Sequence, residues 1–140
     1  MNYDMVGPVI ALTLSSIGST IGCYIAGAAS HAAMTRTEDG HGKFIGMSAA
    51  PASQSIYGFI LMLLMSKAIL AGTLSPISGI AMGVFAGSAI GLSAIFQGKV
   101  CATGIQASMK NPSLFGKSFA SVGIIESFAL FTFVFCMLIM

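Results

Sequence analysis

The chain has 140 residues, of which 56% are hydrophobic and 7% are charged, whereas about 25% of residues are charged in soluble proteins. This composition excludes an ordinary soluble domain. The formal net charge of +2 says little about partners, and we expect no nucleic acid among them. The sequence has no nucleotide-binding motif and no nucleophile arrangement, so we also expect no catalytic site within the chain.

Four apolar segments follow one another along the chain. They cover residues 6–33, 45–72, 77–108 and 113–140. Each exceeds the roughly 20 helical residues that cross a hydrocarbon core of about 30 Å. We therefore predict an all-α membrane protein with four transmembrane helices, called helices one to four. Asp4 is the only early charge, and without a basic region before helix one we predict a retained helix and not a signal peptide.

Basic residues are distributed unevenly among the loops between these helices. Those around the first and third loops are Arg36, Lys43, Lys99, Lys110 and Lys117. The second loop, Gly72–Ser78, has only Lys67 near it. Because cytoplasmic loops carry the excess of Lys and Arg, we expect loops one and three in the cytoplasm and both termini outside. The expected location is the inner or plasma membrane of the cell.

The residues that bind transition metals in other proteins are scattered here. Cys23, Cys101 and Cys136 lie in three different helices and form no CxxC pair, so we predict that they are small packing residues. His31 and His41 lie at the predicted cytoplasmic rim, where a solvated loop that touches a stalk subunit is the expected setting.

Glu126 is the only acidic residue in the last hundred positions, and it lies midway along helix four. A carboxylate at the centre of a membrane-spanning helix costs about 3 kcal/mol on insertion scales. The closest basic residue along the sequence, Lys117, is two and a half turns away. Glu126 must therefore be neutralised by a proton, by a bound cation or by a partner, and it is the predicted seat of function.

The two halves of the chain resemble each other. Ile17–Gly22 matches Ala86–Gly91 at an offset of 69, and Gln54-Ser55 matches Glu126-Ser127 at an offset of 72. The difference between the offsets of 72 and 69 predicts that the second loop region is three residues longer. We predict two tandem hairpins, residues 1–72 and residues 73–140, of which only the second carries a carboxylate.

Helices one and three carry stripes of small residues, which let helix backbones approach closely in lipid. In helix three the stripe is Gly79, Gly83, Gly87 and Gly91, and in helix one it is Gly7, Ala11, Ser15, Ser19, Cys23 and Gly27. The stripes fit packing within one four-helix bundle, and they fit better an inner ring of helices from many copies. Bulky residues of helices two and four predict an outer, lipid-facing layer: Phe59, Phe128, Phe131, Phe133 and Phe135.

Three motifs carry a resemblance to a known family: Pro51–Gly58 in helix two, Phe96–Lys99 in helix three and Ile125–Ser127 in helix four. Together with the length and the two hairpins, they resemble the proteolipid (c or K) subunits of V-type ATPases. The similarity is greatest to the bacterial sodium-translocating form. The proteolipids of F-type enzymes resemble a single hairpin of about half this length and fit less well.

The resemblance implies a site for the transported ion. Its ligands would be Glu126 as the ion-translocating carboxylate, Gln97, Gln54, the Ser53 hydroxyl and the backbone carbonyl of Ala50. The resemblance also implies a hydrogen bond from Tyr57 to Glu126. Two positions depart from the family pattern, since Ala50 stands where Leu is common and Ser53 where Thr is common. This oxygen-rich set favours Na⁺ over H⁺, which remains the alternative, and no organic cofactor is implied.

The function that the resemblance implies is that of a non-catalytic subunit in a rotor ring. Many copies of the chain would form a homo-oligomeric ring with helices one and three inside. Glu126 would carry Na⁺ or H⁺ past lipid to a stator subunit with an arginine, and a central-stalk subunit on the cytoplasmic loops would couple rotation to ATP hydrolysis or synthesis. Ring stoichiometry and direction stay open.

Two rival functions belong to other classes. A four-helix exporter that couples protons or cations to a small molecule would need an aromatic cavity around Glu126, often with Trp. The glycine stripe and the absence of Trp count against it. A purely structural or pore-forming protein gives no reason for Glu126, Gln97 and Gln54.

Overall fold

The computed structural model describes residues 3–140 and confirms the predicted all-helical fold. Its α-helices are α1 (Val6–Met34), α2 (His41–Ser48), α3 (Ser53–Leu70), α4 (Pro76–Lys110) and α5 (Phe115–Leu138). Within the described residues, four segments are long and apolar enough to cross a membrane: Val6–Met34, His41–Leu70, Pro76–Lys110 and Pro112–Leu138. These segments agree with the predicted helices one to four, and the second consists of α2 and α3 in succession.

A break between α2 and α3 was not predicted from the apolar pattern. Residues Ala50–Ala52 form a 3₁₀ turn with Pro51 at its centre. Proline has no N–H to donate to the preceding turn and its ring crowds that turn, so the α-helix changes its hydrogen-bond pattern there. The turn lies immediately before Ser53 and Gln54, the first two residues of α3.

The break between α4 and α5 lies where the sequence predicted it. Helix α4 stops at Lys110, and Pro112–Leu114 form a second 3₁₀ turn before α5. The Asn111 side-chain oxygen accepts a hydrogen bond of 3.1 Å from the Ser113 N–H and caps this turn. Asn111-Pro112 therefore separates the last two spans, as expected from the turn-forming dipeptide.

Helices α1 and α4 form the closest pair in the structure, and they run parallel. A Cβ atom added at Gly18 would overlap the backbone of Gly91, and one added at Gly22 would overlap the backbone of Ala94. Since residue numbers rise together along the contact, the helices point the same way. The absence of side chains on this face is what allows the two backbones to touch.

The glycine contacts between α1 and α4 join residues at larger offsets than the motif match in helix one. Gly7 lies against Gly79 and Gly83, at offsets of 72 and 76, and Gly18 lies against Gly91, at an offset of 73. These contact offsets exceed the motif offset of 69 by about one to two turns of helix. An offset of 72 also relates Gln54 to Glu126, and the register of the repeat in helix one stays a prediction.

The remaining long helices form a second layer, with α3 packed mainly on α1 and α5 packed mainly on α4. Their outward faces carry the exposed aromatic residues Phe59, Phe128, Phe131 and Phe135. Phe133 differs from the prediction of a lipid-facing residue. It is half-buried, and its ring stacks on that of Tyr57 with 6.0 Å between centroids.

Two further predictions have different outcomes. The cysteines are free, with Cys101 and Cys136 buried and Cys23 half-buried, as expected for packing residues. Lys99, expected near the third loop, instead lies within α4, three turns before the helix ends at Lys110. At a rise of about 1.5 Å per residue it is about 16 Å from that end. Its ammonium group lies 5.1 Å from the centre of the Phe96 ring.

Candidate functional site

The predicted site residues come together where α3, α4 and α5 meet, midway along the long helices. Gln54 of α3 and Gln97 of α4 are completely buried. Glu126 of α5 is half-buried at the edge of this contact. Three polar side chains from three helices thus meet inside an otherwise apolar bundle, where polar groups need partners.

Both carboxylate oxygens of Glu126 accept hydrogen bonds. The Tyr57 hydroxyl donates to Oε1 over 2.8 Å, and Nε2 of Gln97 is 3.4 Å from Oε2. The first is a short bond of the kind formed with charged acceptors, and the second is long and weak. Tyr57 itself is positioned by its stacking on Phe133, which lies two turns after Glu126 on α5. The predicted Tyr57–Glu126 contact is present.

Gln97 is the centre of the network. Its side-chain oxygen accepts a hydrogen bond of 2.9 Å from Nε2 of Gln54, and its own Nε2 lies 3.2 Å from the Val122 carbonyl oxygen. With the weaker contact to Glu126, this single amide connects α3, α4 and α5. Because Gln97 is completely buried, each of these bonds forms away from water, where leaving a polar group unpaired is costly.

Ser53 extends the network toward the 3₁₀ turn. Its hydroxyl lies 3.0 Å from the Ala50 carbonyl oxygen and 3.1 Å from Oε1 of Gln54. The hydroxyl has one proton and donates to one of these oxygens at a time. Three oxygens from neighbouring residues therefore lie close together at the start of α3. All the predicted ligands and Tyr57 belong to one connected group.

Sequence reasoning missed Ser93. This buried residue lies one turn before Gln97 on α4, and its hydroxyl donates a hydrogen bond of 2.9 Å to the Ile125 carbonyl oxygen. Ser93 and Gln97 therefore both bind the backbone of α5, immediately around the turn that carries Glu126. The signal was the four-residue spacing of two polar residues on one helix face, which points them at the same neighbour.

The first hairpin has no equivalent of this site. At an offset of 72, Gln54 corresponds to Glu126, Ile25 corresponds to Gln97 and Ile21 corresponds to Ser93. An amide replaces the carboxylate, and apolar side chains replace the two residues that hold it. The chain therefore has one carboxylate site for its four transmembrane segments.

The donor set suits a hard monovalent cation. Carboxylate, amide, hydroxyl and carbonyl oxygens are the ligands that such cations prefer. Glu126 supplies the single negative charge of the group, so one monovalent ion leaves it neutral.

Comparison with known proteins identifies the family to which this chain belongs. The sequence profile of the family ATP-synt_C, the C subunits of ATP synthases, matches residues 6–65 and 77–139, and each matched stretch covers two spans. The A-type ATP synthase subunit K of Methanocaldococcus jannaschii is 35% identical over 113 residues, which is 81% of this chain and 50% of that protein. The V-type sodium ATPase subunit K of Enterococcus hirae is 30% identical over 148 residues, covering 99% of this chain and 92% of that protein. The chain thus spans about half the length of the first relative.

Proposed function

This chain belongs to the family of ATP synthase C subunits, and we propose that it is a proteolipid rotor subunit of a V-type ATPase whose Glu126 carries the transported ion. One observation supports the role of Glu126 above all. It is the only carboxylate within the four spans, it lies at their middle, and donors from two other helices hold both its oxygens. A carboxylate within the membrane is costly, so its presence at this position supports a role in transport.

We propose Na⁺ as the ion that is carried, with H⁺ as the alternative. A proton needs only the carboxylate, whereas this site adds the oxygens of Ala50, Ser53, Gln54 and Gln97 around it. The similarity to a subunit named for a sodium ATPase, over nearly the full length of this chain, supports the same ion.

The observed hydrogen bonds are compatible with an ion at this position. An amide oxygen has two lone pairs, so Oε1 of Gln97 can keep the N–H of Gln54 and still face a cation. The Ser53 hydroxyl already turns toward the Ala50 carbonyl, and its oxygen remains able to accept an ion. Tyr57 can hold Glu126 throughout, because its bond goes to the oxygen that Gln97 does not contact.

In the proposed mechanism, Glu126 alternates between an ion-bound state and an ion-free state. A bound monovalent ion or a proton neutralises Glu126, and the neutral site crosses the lipid at low electrostatic cost. Near a stator subunit, an arginine from another polypeptide would replace the ion as the counter-charge. The half-buried position of Glu126, on the α5 side of the bundle, leaves it within reach of a stator.

The proposed assembly is a homo-oligomeric ring, in keeping with a family that forms rings. Residues 1–72 and 73–140 would be its two hairpin units, with α1 and α4 inside. Loops one and three would face the cytoplasm and bind a central-stalk subunit, both termini would lie outside, and lipid would contact the outer layer. With one carboxylate per four spans, the ring would carry fewer ions per turn than an equally large ring with a carboxylate in every hairpin. Fewer ions per ATP allow a steeper ion gradient.

The exporter alternative is less well supported. A groove of about 680 Å³ does lie between α4 and α5, and it includes the aromatic residues Phe85 and Phe135. Its lining residues lie toward the α3–α4 loop, and Glu126 is not among them. A carboxylate that exchanged protons for a substrate would need to contact that substrate.

The test is ATP-driven transport of radioactive Na⁺ by the complete ATPase in vesicles. We expect Glu126→Gln to abolish uptake. The matched control is Thr132→Val on the same helix, which removes a hydroxyl that bonds to the Phe128 carbonyl of its own helix and should leave uptake unchanged. Uptake that survives Glu126→Gln would refute the proposed role of this residue. ATP-driven proton uptake without Na⁺ uptake in the unmodified complex would select the proton alternative.

A further inference from the structure

Ser19 of α1 has a buried hydroxyl group that forms no hydrogen bond within residues 3–140, and its side chain is only 5% exposed. Ser15, one turn earlier, donates to the Ala11 carbonyl of its own helix over 2.7 Å. The Ser19 hydroxyl does not use the equivalent Ser15 carbonyl, although that local bond is open to any serine within a helix. A buried hydroxyl without a partner costs stability, and a polar group opposite it can offset that cost.

Two contacts define how α1 packs on α3 and on the 3₁₀ turn before it. A Cβ atom added at Gly58 of α3 would overlap the side chain of Ser15. One added at Gly22 of α1 would overlap the ring of Pro51 in the 3₁₀ turn. Residue numbers rise along α1 while they fall along its neighbour, so the two segments are antiparallel.

These contacts put Ser19 opposite Gln54. On α1, Ser19 lies four residues from the first contact and three from the second, and on the other segment Gln54 lies four residues from the first contact and three from the second. Positions with this spacing share one face of a helix. Both side chains are buried, with Gln54 at 0% exposure. Ser19 and Gln54 therefore face each other at the same height.

Gln54 has hydrogen-bonding capacity left for such a partner. Its Nε2 has two N–H groups, of which one donates to Oε1 of Gln97 over 2.9 Å. Its Oε1 lies 3.1 Å from the Ser53 hydroxyl. In the part of the chain that the structure describes, the second N–H has no acceptor. A hydroxyl oxygen can accept it and direct its own proton to the carbonyl one turn earlier on α1.

The orientation of the Gln54 amide decides whether this side chain can bind a cation. The proposed site uses Oε1 of Gln54 as a ligand, whereas a rotated amide would present N–H groups to the ion and repel it. With Gln97 as the first acceptor and Ser19 as the second, both N–H groups are held. The amide oxygen then stays on the side of Ser53, where the other proposed ligands lie.

We propose that Ser19 is a positioning residue of the ion site, whose hydroxyl accepts the second N–H of Gln54 in the ion-bound state and keeps Oε1 of Gln54 turned to the ion. The inference rests on the proposed Na⁺ site. It adds α1 to the three helices that form that site. Ser19 does not touch the ion and acts through Gln54.

The test is binding of radioactive Na⁺ to the purified ring. We expect Ser19→Ala to bind Na⁺ about fivefold more weakly, which is the effect of one net hydrogen bond. The thermal stability of the Na⁺-free ring should stay equal or rise, because the substitution removes an unpaired buried hydroxyl. A merely structural role would not lower affinity while leaving stability intact. The matched control is Ser30→Ala, which removes another buried and unpartnered hydroxyl about three turns later on α1 and should leave affinity unchanged.

A double substitution tests whether Ser19 acts through Gln54. In a Gln54→Leu ring, Ser19→Ala should cause no further loss of the residual Na⁺ affinity, because the amide that Ser19 positions is gone. The same fivefold loss in both backgrounds would show that Ser19 acts by another route and would overturn the proposal.

The outcomes separate this inference from the proposed site. If the unmodified ring binds no Na⁺, the sodium site and the role of Ser19 both fail. If the unmodified ring binds Na⁺ and Ser19→Ala binds it equally well, the role of Ser19 alone is wrong. Equal losses for Ser19→Ala and Ser30→Ala would overturn it too. Should Ser19→Ala not assemble, Ser19→Cys is measured in its place, and it should show the same loss because a thiol hydrogen-bonds weakly.

Discussion

The hydroxyl of Tyr57 donates a hydrogen bond of 2.8 Å to Oε1 of Glu126 and thereby joins α3 to α5. The two residues are 69 positions apart in sequence and belong to different halves of the chain. The carboxylate is therefore held by a donor that has its own support in the ring of Phe133. The proposed site consequently depends on α3 and α5 being in register with each other.

Removing this donor should weaken ion binding without abolishing it. A hydrogen bond to a charged group contributes about 1.5–3 kcal/mol, so Tyr57→Phe should lower the Na⁺ affinity of the ring roughly 10- to 100-fold. Direct binding of radioactive Na⁺ to purified ring measures this. Tyr24→Phe, which removes an exposed hydroxyl from α1, is the control. Equal affinities for the Tyr57 variant and the unmodified ring would show that the bond has no part in binding.

Substitution of Gln97 should impair the site more strongly than substitution of Tyr57. Gln97→Leu removes a proposed ligand and leaves the buried donors of Gln54 without their acceptor. An unsatisfied buried polar group costs about 1–3 kcal/mol, so both Na⁺ affinity and thermal stability should fall. The matched control on the same helix is Gln106→Leu, since Gln106 is exposed. A Gln97→Leu ring with undiminished Na⁺ binding would remove this residue from the site.

Ser93 should act by positioning Glu126. Ser93→Ala removes one interhelical hydrogen bond, worth about 1 kcal/mol, and frees the α5 backbone next to the carboxylate. We expect about a fivefold rise in the Na⁺ concentration for half-maximal transport, with maximal rate nearly unchanged. Ser66→Ala is the control, because the Ser66 hydroxyl bonds within its own helix to the Met62 carbonyl. A loss of maximal rate alone would argue against a positioning role.

The close approach of α1 and α4 should tolerate no side chain at Gly18. Leucine there would meet the backbone of Gly91, which cannot move as a flexible side chain does. Overpacking costs about 1–3 kcal/mol even where side chains yield, so Gly18→Leu should prevent folding or sharply lower the melting temperature. A Cβ atom added at Gly27 on the same helix meets nothing within 4 Å, so Gly27→Leu should melt near the unmodified protein. Similar melting of both variants would contradict the observed packing.

The spans and the central carboxylate were visible in the sequence for a simple physical reason. Lipid requires long apolar helices, and a lone charge within one of them stands out. The family resemblance, drawn from motifs around Gln54, Gln97 and Glu126, is confirmed by the match to the family of ATP synthase C subunits. The ion that the site carries remains a prediction.

Other features could not be predicted from the sequence because they depend on how the helices pack against each other. The register of the internal repeat is one of them, since small residues recur every four positions and neighbouring alignments score alike. The contact of Gly18 with Gly91 is another, because it depends on how α1 packs against α4. Ser93 escaped notice because a serine in a small-residue helix looks like packing until the Ile125 carbonyl is seen opposite it.

The most direct test of the central claim is the rate at which a hydrophobic carbodiimide modifies Glu126 in purified ring, measured with and without Na⁺ across pH. The carboxyl group gives its proton to a nitrogen of the carbodiimide and its oxygen then bonds to the central carbon of the reagent. The reaction therefore needs a protonated carboxyl, and an ion that occupies the site protects it. We predict that Na⁺ slows labelling of Glu126 and that protection weakens as the pH falls, because protons compete with Na⁺ for the same carboxylate. Potassium at equal ionic strength is the control. Labelling that follows pH alone and ignores Na⁺ would contradict a sodium site and leave Gln54 and Gln97 as packing partners of a proton-carrying Glu126.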